Sequence, residues 1–406
     1  MKLISGGVTA AKGFKASGVH AGVKAGSNPE KNDLAMILCE GEATAAGVYT
    51  MNRVKAAPIY VTMEHLENGV ARGVIVNSGN ANACAPLGHE NAVKMCEAAA
   101  AATGLKPEDF IVASTGVIGQ TLNVSVIEKS CPTLAALLSR DGSLEAAKAI
   151  MTTDTKVKEI AVSFEIGGKE VRLGGIAKGS GMIHPNMGTM LCFLTTDCAI
   201  SADVLQNALY DTTKVTFNRI SVDGDTSTND TCCILASGAA GNEEIDWKSE
   251  DYEVFLGALN YVCTELAKKI AGDGEGATKL VTCTVNGSRS DEVAEKLAME
   301  VIRSSLVKAA MFGADANWGR VLCAMGYSKA PFRPEYVSVT FASAAGEILV
   351  CKDGEGLDFD EALAKKVLSQ PEVEIRINVN EGEHFATAWG CDLTYDYVKI
   401  NGDYRT

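Results

Sequence analysis

Short apolar runs alternate along the chain with polar, glycine-containing segments, and this pattern predicts buried strands that end in tight turns. Residues 72–77 form a β-branched run that stops at Asn77-Ser78-Gly79-Asn80. Residues 110–114 form a second run, which ends in Thr115-Gly116-Val117-Ile118-Gly119. In both places, polar groups suited to chemistry stand at the junction between a strand and a turn.

Helical spacing of apolar residues and alanine-rich composition predict helices over 91–103, 143–151, 252–271 and 291–310. Ser143 is the expected N-cap of the second of these helices. Alternation over 372–379 predicts a strand in the last third of the chain. Since no internal repeat or low-complexity linker is visible, we expect one mixed α/β protein.

Composition narrows the classes of function. The chain has 406 residues, 47% of them hydrophobic, so it can bury a large core and form two or three lobes. Its formal net charge of -14 argues against a nucleic-acid partner, because phosphate binding needs clustered lysine and arginine. The start of the chain lacks a long apolar segment, and no later run reaches the length of a membrane span. We therefore expect a cytoplasmic protein without a membrane partner.

The cysteines predict reduced thiols rather than disulfides. There are 13 of them, an odd number with irregular spacing and no CxxC pair. Cys232 and Cys233 fall in an apolar run typical of a buried strand. The five histidines are scattered without the spacing of a zinc site, and the acidic segment 223–230 lacks the final glutamate of a calcium loop. We therefore expect no metal and no cofactor.

The glycine-rich run 178–190 contains Thr189, which is a candidate nucleophile. A threonine hydroxyl needs a base to take its proton, and a threonine at a chain terminus can use its own α-amine. Attack of Thr189 on the carbonyl of Gly188, followed by ester hydrolysis, would create such a terminus. Glycine before the bond does not hinder this attack. The alternative interpretation is an ordinary glycine turn, since most glycine-rich segments are turns.

Three further segments carry candidate functional groups, each with a structural alternative. Thr115 and Gly116 could present a hydroxyl and a backbone N–H to an oxyanion, or form a plain turn. Glu275 lies in a glycine-rich segment that follows a helix and is not a P-loop, so its carboxylate either binds a substrate ammonium or is solvated. The segment 313–320 is dense in hydrogen-bonding groups, and an internal pair of Asp315 and Arg320 is as good an explanation as catalysis.

Taken in order, these segments resemble the ornithine acetyltransferases, also called glutamate N-acetyltransferases, of arginine biosynthesis. The resemblance covers essentially the full length. It rests on 13–18, 77–84, 115–119, 151–155, 178–189, 195–197, 223–229, 313–320 and 401–406. It implies an α/β layered sandwich of helices over paired β-sheets, of the N-terminal-nucleophile aminopeptidase and ornithine acetyltransferase type.

The resemblance also implies that the chain cuts itself between Gly188 and Thr189. The products would be an alpha chain, 1–188, and a beta chain, 189–406, that assemble as a heterotetramer of two alpha and two beta chains. The family usually has alanine before the scissile bond, where this chain has Gly188. Both residues are small, so cleavage is expected to survive the difference, whereas its rate is open.

The implied reaction moves acetyl from N2-acetylornithine to Thr189 and then to glutamate, and some members of the family also use acetyl-CoA. By resemblance, Thr189 is the nucleophile, and Thr115 and Gly116 form the oxyanion hole. The family's substrate-binding positions fall on Thr152, Lys178, Thr189, Glu275, Asn401 and Thr406.

Three alternatives remain open from the sequence. The first is an N-terminal-nucleophile aminopeptidase or amidase, in which water replaces glutamate as the acceptor. The second is an uncleaved protein of the same fold that binds amino acids without chemistry. The third is a cysteine acyltransferase, for which the sequence offers no convincing histidine partner.

Overall fold

The structure is a computed structural model that describes residues 1–184 and 190–403. Within these ranges it contains two β-sheets and eleven α-helices. The strands are β1 Lys2–Ile4, β2 Phe14–Val19, β3 Leu34–Tyr49, β4 Val70–Asn77, β5 Phe110–Ser114, β6 Lys158–Ile166, β7 Lys169–Lys178, β8 Leu191–Thr196, β9 Ile220–Ser221, β10 Thr231–Ala236, β11 Leu280–Ser288, β12 Ser338–Ser343, β13 Gly346–Lys352, β14 Glu355–Gly356, β15 Glu372–Asn378 and β16 His384–Cys391. The helices are α1 Ala57–His65, α2 Gly88–Thr103, α3 Val124–Ala136, α4 Ser143–Ala149, α5 Ala202–Val215, α6 Tyr252–Gly272, α7 Asp291–Arg303, α8 Ser305–Phe312, α9 Trp318–Tyr327, α10 Glu361–Leu368 and α11 Tyr395–Asp403.

The first sheet has nine described strands in the order β1-β6-β7-β8-β10-β3-β4-β5, with β2 added alongside β3. Both β2 and β10 pair with the long strand β3, because the first half of β3 pairs with β2 and its second half pairs with β10. Its register against β4 shifts between Leu38 and Ala43, which separates the two halves. Strands β7, β8 and β10 lie in register, so that Lys178, Leu191 and Thr231 are neighbours across the sheet.

The second sheet has seven described strands in the order β14-β13-β12-β15-β11-β16-β9. Helix α6 lies between the two sheets, and its buried residues share one core with Ile220 and Trp389 of the second sheet and Cys232 of the first. Helices α7 to α10 cover the other face of the second sheet. This arrangement confirms the predicted α/β sandwich of helices over paired sheets.

The alternating directions of side chains along the central strands explain this layering. In β10, Cys232 and Ile234 face the core that contains α5 and α6, whereas Cys233 and Leu235 belong to the core on the opposite face. Successive residues of a strand point to opposite faces, so a strand covered on both sides is apolar throughout. All six residues of β10 are buried, as the sequence predicted for this run.

Two helix predictions need correction. The helix expected over 291–310 is divided into α7 and α8 at Ser304, whose side chain accepts a hydrogen bond from the Val307 N–H and so begins the second helix. The expected N-cap Ser143 is instead the first residue of α4. Its hydroxyl accepts from the Val8 N–H and donates to Glu159, because the tertiary fold offers these partners 135 and 16 residues away.

All 13 cysteines are free, and only Cys84 and Cys323 are exposed. Burial raises the pKa of the Cys192, Cys233 and Cys263 thiols well above the ordinary value, which makes them poor nucleophiles. Among the described residues, no cluster of three or more His, Cys, Asp or Glu side chains is arranged to hold a metal ion. None of the described helices combines the length and apolar character needed to cross a membrane.

Candidate active site

One cavity of about 220 Å³ gathers residues from distant parts of the chain. The predicted site residues that line it are Thr115, Gly116, Thr152, Lys178, Glu275 and Asn401. The other predicted residues, Gly188, Thr189 and Thr406, lie outside the described residues. Every predicted site residue that the structure describes therefore lines this one cavity.

Thr115 and Gly116 follow directly after β5 and border the cavity at the turn. The Thr115 N–H donates to the carbonyl oxygen of Asn77 at the end of β4, at 2.9 Å. Gly116 has a φ of 129°, and a Cβ there would lie 2.7 Å from the backbone carbon of Gly79. Only glycine fits this close approach of two turns, which places the Thr115 hydroxyl and the Gly116 backbone side by side.

Asn229 ties these turns to the loop before β10. Its side-chain amide donates to the carbonyl oxygens of Ala81 and Ser114, at 2.6 and 2.7 Å. The segment 223–230, which resembles a calcium loop in composition, thus binds backbone groups of its own chain. Sequence reasoning missed this role because the partners lie 148 and 115 residues away.

Lys178 ends β7 and directs its ammonium group toward Thr115 in the turn that contains the predicted oxyanion hole. Its Nζ donates to Thr115 Oγ1 at 3.3 Å, and the residue is only 8% exposed. Burial lowers the pKa of Lys178, while Asp154, Asp230 and Glu275 act in the opposite direction. A cation that donates to the Thr115 oxygen polarises this hydroxyl, which makes the hydroxyl a stronger hydrogen-bond donor to a nearby oxyanion.

A buried network of ion pairs lies next to Lys178. The Lys158 ammonium contacts one carboxylate oxygen of Asp154 and one of Asp273, each at 2.6 Å, and all three side chains are at most 3% exposed. Asp154 also accepts from the Gly179 N–H at 2.8 Å and from the Thr152 N–H at 3.0 Å. The network therefore fixes the backbone on two sides of the cavity.

The network went unrecognised in the sequence. Asp154 and Lys158 have the spacing of an ion pair, but they are not on a helix, and Asp273 is more than 110 residues away. The strong shift of the Asp154 pKa, to about 2, reflects attraction from Lys178 and Lys158 that outweighs the effect of burial. Such a shift depends on the fold, so a local motif does not reveal it.

Glu275 faces the cavity from the turn that follows α6. Its carboxylate accepts from the Asn401 side-chain amide at 2.7 Å, and its N–H donates to the carbonyl oxygen of Ser180 at 2.9 Å. A Cβ on Gly181 would lie 2.5 Å from the Glu275 carboxylate. The carboxylate therefore occupies the space that Gly181 leaves open, and it offers a negative group for a substrate ammonium.

A smaller cavity of about 20 Å³ adjoins the first through Thr115 and Lys178 and is also lined by Met190 and Asp230. Met190 directly follows Thr189 in the chain. Asp230 is 2% exposed, and burial raises its pKa well above the ordinary range. The first described residue after the predicted nucleophile therefore lies at this smaller cavity.

The dense segment 313–320 has a structural role away from both cavities. Asn317 caps α9 by accepting from the Arg320 N–H, and the Arg320 guanidinium donates to the carbonyl oxygen of Leu306. Asp315 accepts from the Asn317 amide. The pairing of Asp315 with Arg320 considered from the sequence is replaced by these contacts.

Comparison with known proteins agrees with this arrangement. The chain matches the ArgJ family over residues 15–406. It belongs to the ArgJ family. Two relatives named arginine biosynthesis bifunctional protein ArgJ, from Caldanaerobacter subterraneus subsp. tengcongensis and Symbiobacterium thermophilum, are 47% and 51% identical over 407 residues, with full coverage of both chains. The resemblance predicted from the motifs is confirmed, and the chain is an arginine-biosynthesis enzyme of this family.

A solved ArgJ structure supports the fold assignment. The Bacillus halodurans protein, described as arginine biosynthesis bifunctional protein ArgJ, is 46% identical and has a TM-score of 0.50. The match covers 52% of this chain and 98% of the solved chain. About half of the present fold therefore has an experimental counterpart within the ArgJ family.

Proposed function

We propose that this ArgJ-family enzyme transfers acetyl from N2-acetylornithine to glutamate through an acetyl-Thr189 intermediate. The observation that carries the proposal is the single cavity lined by Thr115, Gly116, Lys178 and Glu275, next to the strand that begins just after Thr189. The names of the curated relatives as bifunctional arginine biosynthesis proteins support the same assignment. Acetyl-CoA is proposed as a second donor for glutamate.

The nucleophile is made by cleavage between Gly188 and Thr189. The Thr189 hydroxyl attacks the Gly188 carbonyl, the acyl group moves from nitrogen to oxygen, and water hydrolyses the ester to leave a free α-amine on Thr189. The Bacillus halodurans chain matches 52% of this chain over nearly all of its own length, and a beta chain of 218 residues would be a similar share. This proportion supports separate chains 1–188 and 189–406.

The first half-reaction forms the acetyl-enzyme. The Thr189 oxygen adds to the acetyl carbonyl of N2-acetylornithine as the α-amine takes the hydroxyl proton. The resulting oxyanion accepts hydrogen bonds from the Thr115 hydroxyl and the Gly116 N–H, with the Lys178 ammonium 3.3 Å from the Thr115 oxygen. The C–N bond then breaks, the proton passes to the leaving amine, and ornithine departs.

The second half-reaction returns the acetyl group to an amino acid. The glutamate amine attacks the acetyl ester, the same oxyanion forms, and the Thr189 oxygen leaves with a proton.

Substrate binding in the first half-reaction uses Glu275. Its carboxylate pairs with the side-chain ammonium of N2-acetylornithine, which lies at the opposite end of the substrate from the acetyl group. Thr152 and Asn401, which line the same cavity, and Thr406 are the other residues that we propose bind the substrate.

Acetyl transfer is tested with purified protein, N2-acetylornithine, and glutamate present or absent. We expect ornithine and N-acetylglutamate to form together, with only one turnover of ornithine when glutamate is absent. Continuous release of ornithine without glutamate would instead identify the amidase alternative. Failure to release ornithine in both conditions would refute the proposed transfer.

Cleavage is tested separately on denaturing gels. We expect two bands, each near half of 42.6 kDa, and a single full-length band for Thr189→Ala, with Met190→Leu as a control change beside the bond. Native mass measurement then tests the proposed heterotetramer of two alpha and two beta chains. We also propose that this assembly acts in the cytoplasm. A single full-length band for the parent protein would refute cleavage.

A further inference from the structure

Asn229 is a buried asparagine next to the residues of the predicted oxyanion hole. It lines both cavities, and Thr115 lines both as well. The residue is only 7% exposed, and a buried amide is costly unless its donors and its acceptor are paired. Neither proposed half-reaction uses this side chain, so its role follows from the groups that it binds.

Both ends of the Asn229 amide have hydrogen-bond partners. The nitrogen donates to the carbonyl oxygens of Ala81 and Ser114, at 2.6 and 2.7 Å. The oxygen accepts from the Thr228 hydroxyl at 2.6 Å. Because carbonyl oxygens can only accept, the nitrogen end of the amide has to face them. The side chain is therefore held in one orientation, with both of its donors used on backbone groups.

The hydrogen bond to Ser114 fixes the peptide group that leads into Thr115. This group is planar, and both of its polar atoms are held. Asn229 donates to its oxygen at 2.7 Å, and its nitrogen, which is the Thr115 N–H, donates to the carbonyl oxygen of Asn77 at 2.9 Å. A rotation of the peptide group would break both hydrogen bonds, so the direction in which the chain enters Thr115 is fixed.

The hydrogen bond to Ala81 reaches the chain on the other side of the predicted oxyanion hole. The Ala81 N–H donates to the carbonyl oxygen of Val117 at 2.9 Å, and Val117 directly follows Gly116. Ala81 thus connects Val117 to Asn229, whose amide binds the Ala81 carbonyl oxygen. Thr115 and Gly116 therefore lie between two points of the backbone that are both connected to Asn229.

We propose that Asn229 is a positioning residue of the oxyanion hole, which holds the Thr115 hydroxyl and the Gly116 N–H in the geometry that both half-reactions need. This inference rests on the proposed function, because that function assigns the oxyanion to these two donors. Donors that do not move when the charge develops stabilise an oxyanion best. Asn229 acts through Thr115 and Gly116 rather than on the substrate.

This role determines which kinetic constants should change when Asn229 is replaced. Both half-reactions pass through an oxyanion at the same two donors, so both should slow by a similar factor. The proposed substrate contacts are made by other residues, so KM should change little. Loss of a substrate contact would instead raise KM, and loss of stability alone would lower the melting temperature without changing kcat of the folded enzyme.

The test compares Asn229→Leu with Asn242→Leu in the full chain. Leucine keeps the branched shape of asparagine without its donors, and neither change alters the charge. Asn242 is a matched control, because it is 8% exposed and its amide also donates to two backbone carbonyl oxygens, those of Ala199 and Glu243. It lines neither cavity.

We expect Asn229→Leu to lower kcat by about 10- to 100-fold, because a misplacement of about 1 Å costs about 100-fold in rate, and to leave KM within about twofold. Asn242→Leu should lower the melting temperature and keep the parental kcat. The half-reactions are then measured separately, as a single turnover of ornithine without glutamate and as transfer from preformed acetyl-enzyme to glutamate. Asn229→Leu should slow both.

A second pair of variants decides the case in which Asn229→Leu does not fold or is not cleaved. Thr228→Val removes the hydroxyl that donates to the Asn229 oxygen, whereas Thr228→Ser keeps a hydroxyl there. Thr228→Val should lower kcat by about threefold or more, the effect of one hydrogen bond, and Thr228→Ser should lie closer to the parent. Thr228 also lines the larger cavity, so KM is measured for both variants.

The outcomes separate this inference from the proposed function. A parental kcat in Asn229→Leu, or in Thr228→Val where Asn229→Leu cannot be measured, overturns the role of Asn229 while acetyl transfer by the parent stands. An equal loss of kcat in Asn242→Leu, or a change confined to KM, also overturns it. A parent protein that transfers no acetyl overturns the proposed function, and the inference falls with it.

Discussion

The charge of Lys178 should depend on Asp154, and the substitution Asp154→Asn tests this dependence. Burial lowers the pKa of Lys178, and Asp154 is the first of the anions that raise it. With asparagine at 154, the pKa of Lys178 should fall further, so the lysine should lose its proton at lower pH than in the parent. The basic limb of the kcat profile should then move to lower pH, because the proposed oxyanion hole at Thr115 and Gly116 loses its neighbouring cation at a lower pH.

The ion network allows this change without leaving a buried cation unpaired. Lys158 contacts both Asp154 and Asp273 at 2.6 Å, so either aspartate can be neutralised while the other still balances it. A nearby opposite charge shifts the pKa of a buried group by about one to three pH units. The remaining Lys158 charge also lowers the pKa of Lys178, so we expect the basic limb to move by about one unit or more.

Asp273→Asn is the matched control, because it removes an anion from the same network that is not among the leading causes of the Lys178 pKa shift. The assay is acetyl transfer from N2-acetylornithine to glutamate at saturating substrate across the neutral and alkaline pH range. Thermal unfolding of each variant checks that the fold is intact. Equal displacement of the basic limb in both variants, or none in Asp154→Asn, would refute the reasoning.

Three further predictions concern the pocket and the acid stability of the fold. Gly181→Ala should raise KM for N2-acetylornithine with little change in melting temperature, because its Cβ would lie 2.5 Å from the movable Glu275 carboxylate; an unchanged KM would contradict the placement of Glu275. Gly116→Ala should lower kcat by about tenfold or more, since a Cβ at φ 129° would meet the Gly79 backbone at 2.7 Å and displace the proposed oxyanion donor. Gly119→Ala is the kinetic control, because Gly119 also has a positive φ but has open space around it. The Asp154 pKa, lowered to about 2, lies below its unfolded value of about 3.9, so its stabilisation is present above that value and is lost as pH falls toward 2. Chemical unfolding from neutral to low pH should show a loss of about 2 kcal/mol from this group in the parent that is missing in Asp154→Asn.

Local sequence motifs were sufficient to identify several residues that line the pocket. Thr115 and Gly116 follow a strand whose end is visible in the sequence, and Glu275 follows a helix that ends in glycine, so each could be placed on an element. Their grouping into one site came from family resemblance, and the structure places them around one cavity. Spacing along the chain could not provide this, because residues 115 and 275 are brought together by the whole fold.

The supporting residues were harder to predict because their roles depend on burial. Lysine and aspartate are normally exposed, and nothing near Lys158 in the sequence marks it as 1% exposed between two carboxylates. The division of the helix over 291–310 at Ser304 has a similar explanation. Apolar periodicity continues through the break, and only the Ser304 side chain, which caps α8, marks the end of one helix and the start of the next.

One segment, 222–231, contacts the chain on both sides of the proposed cleavage point. On one side, Asp223 accepts from the Met182 and Ile183 N–H groups at 2.6 and 2.9 Å, and the Val222 N–H donates to the carbonyl oxygen of Ile183 at 2.7 Å. On the other side, Thr231, the last residue of this segment, binds Met190. None of these contacts uses the bond between Gly188 and Thr189. Cutting that bond would therefore leave the described residues on both sides, Met182 and Ile183 before it and Met190 after it, bonded to the same segment 222–231.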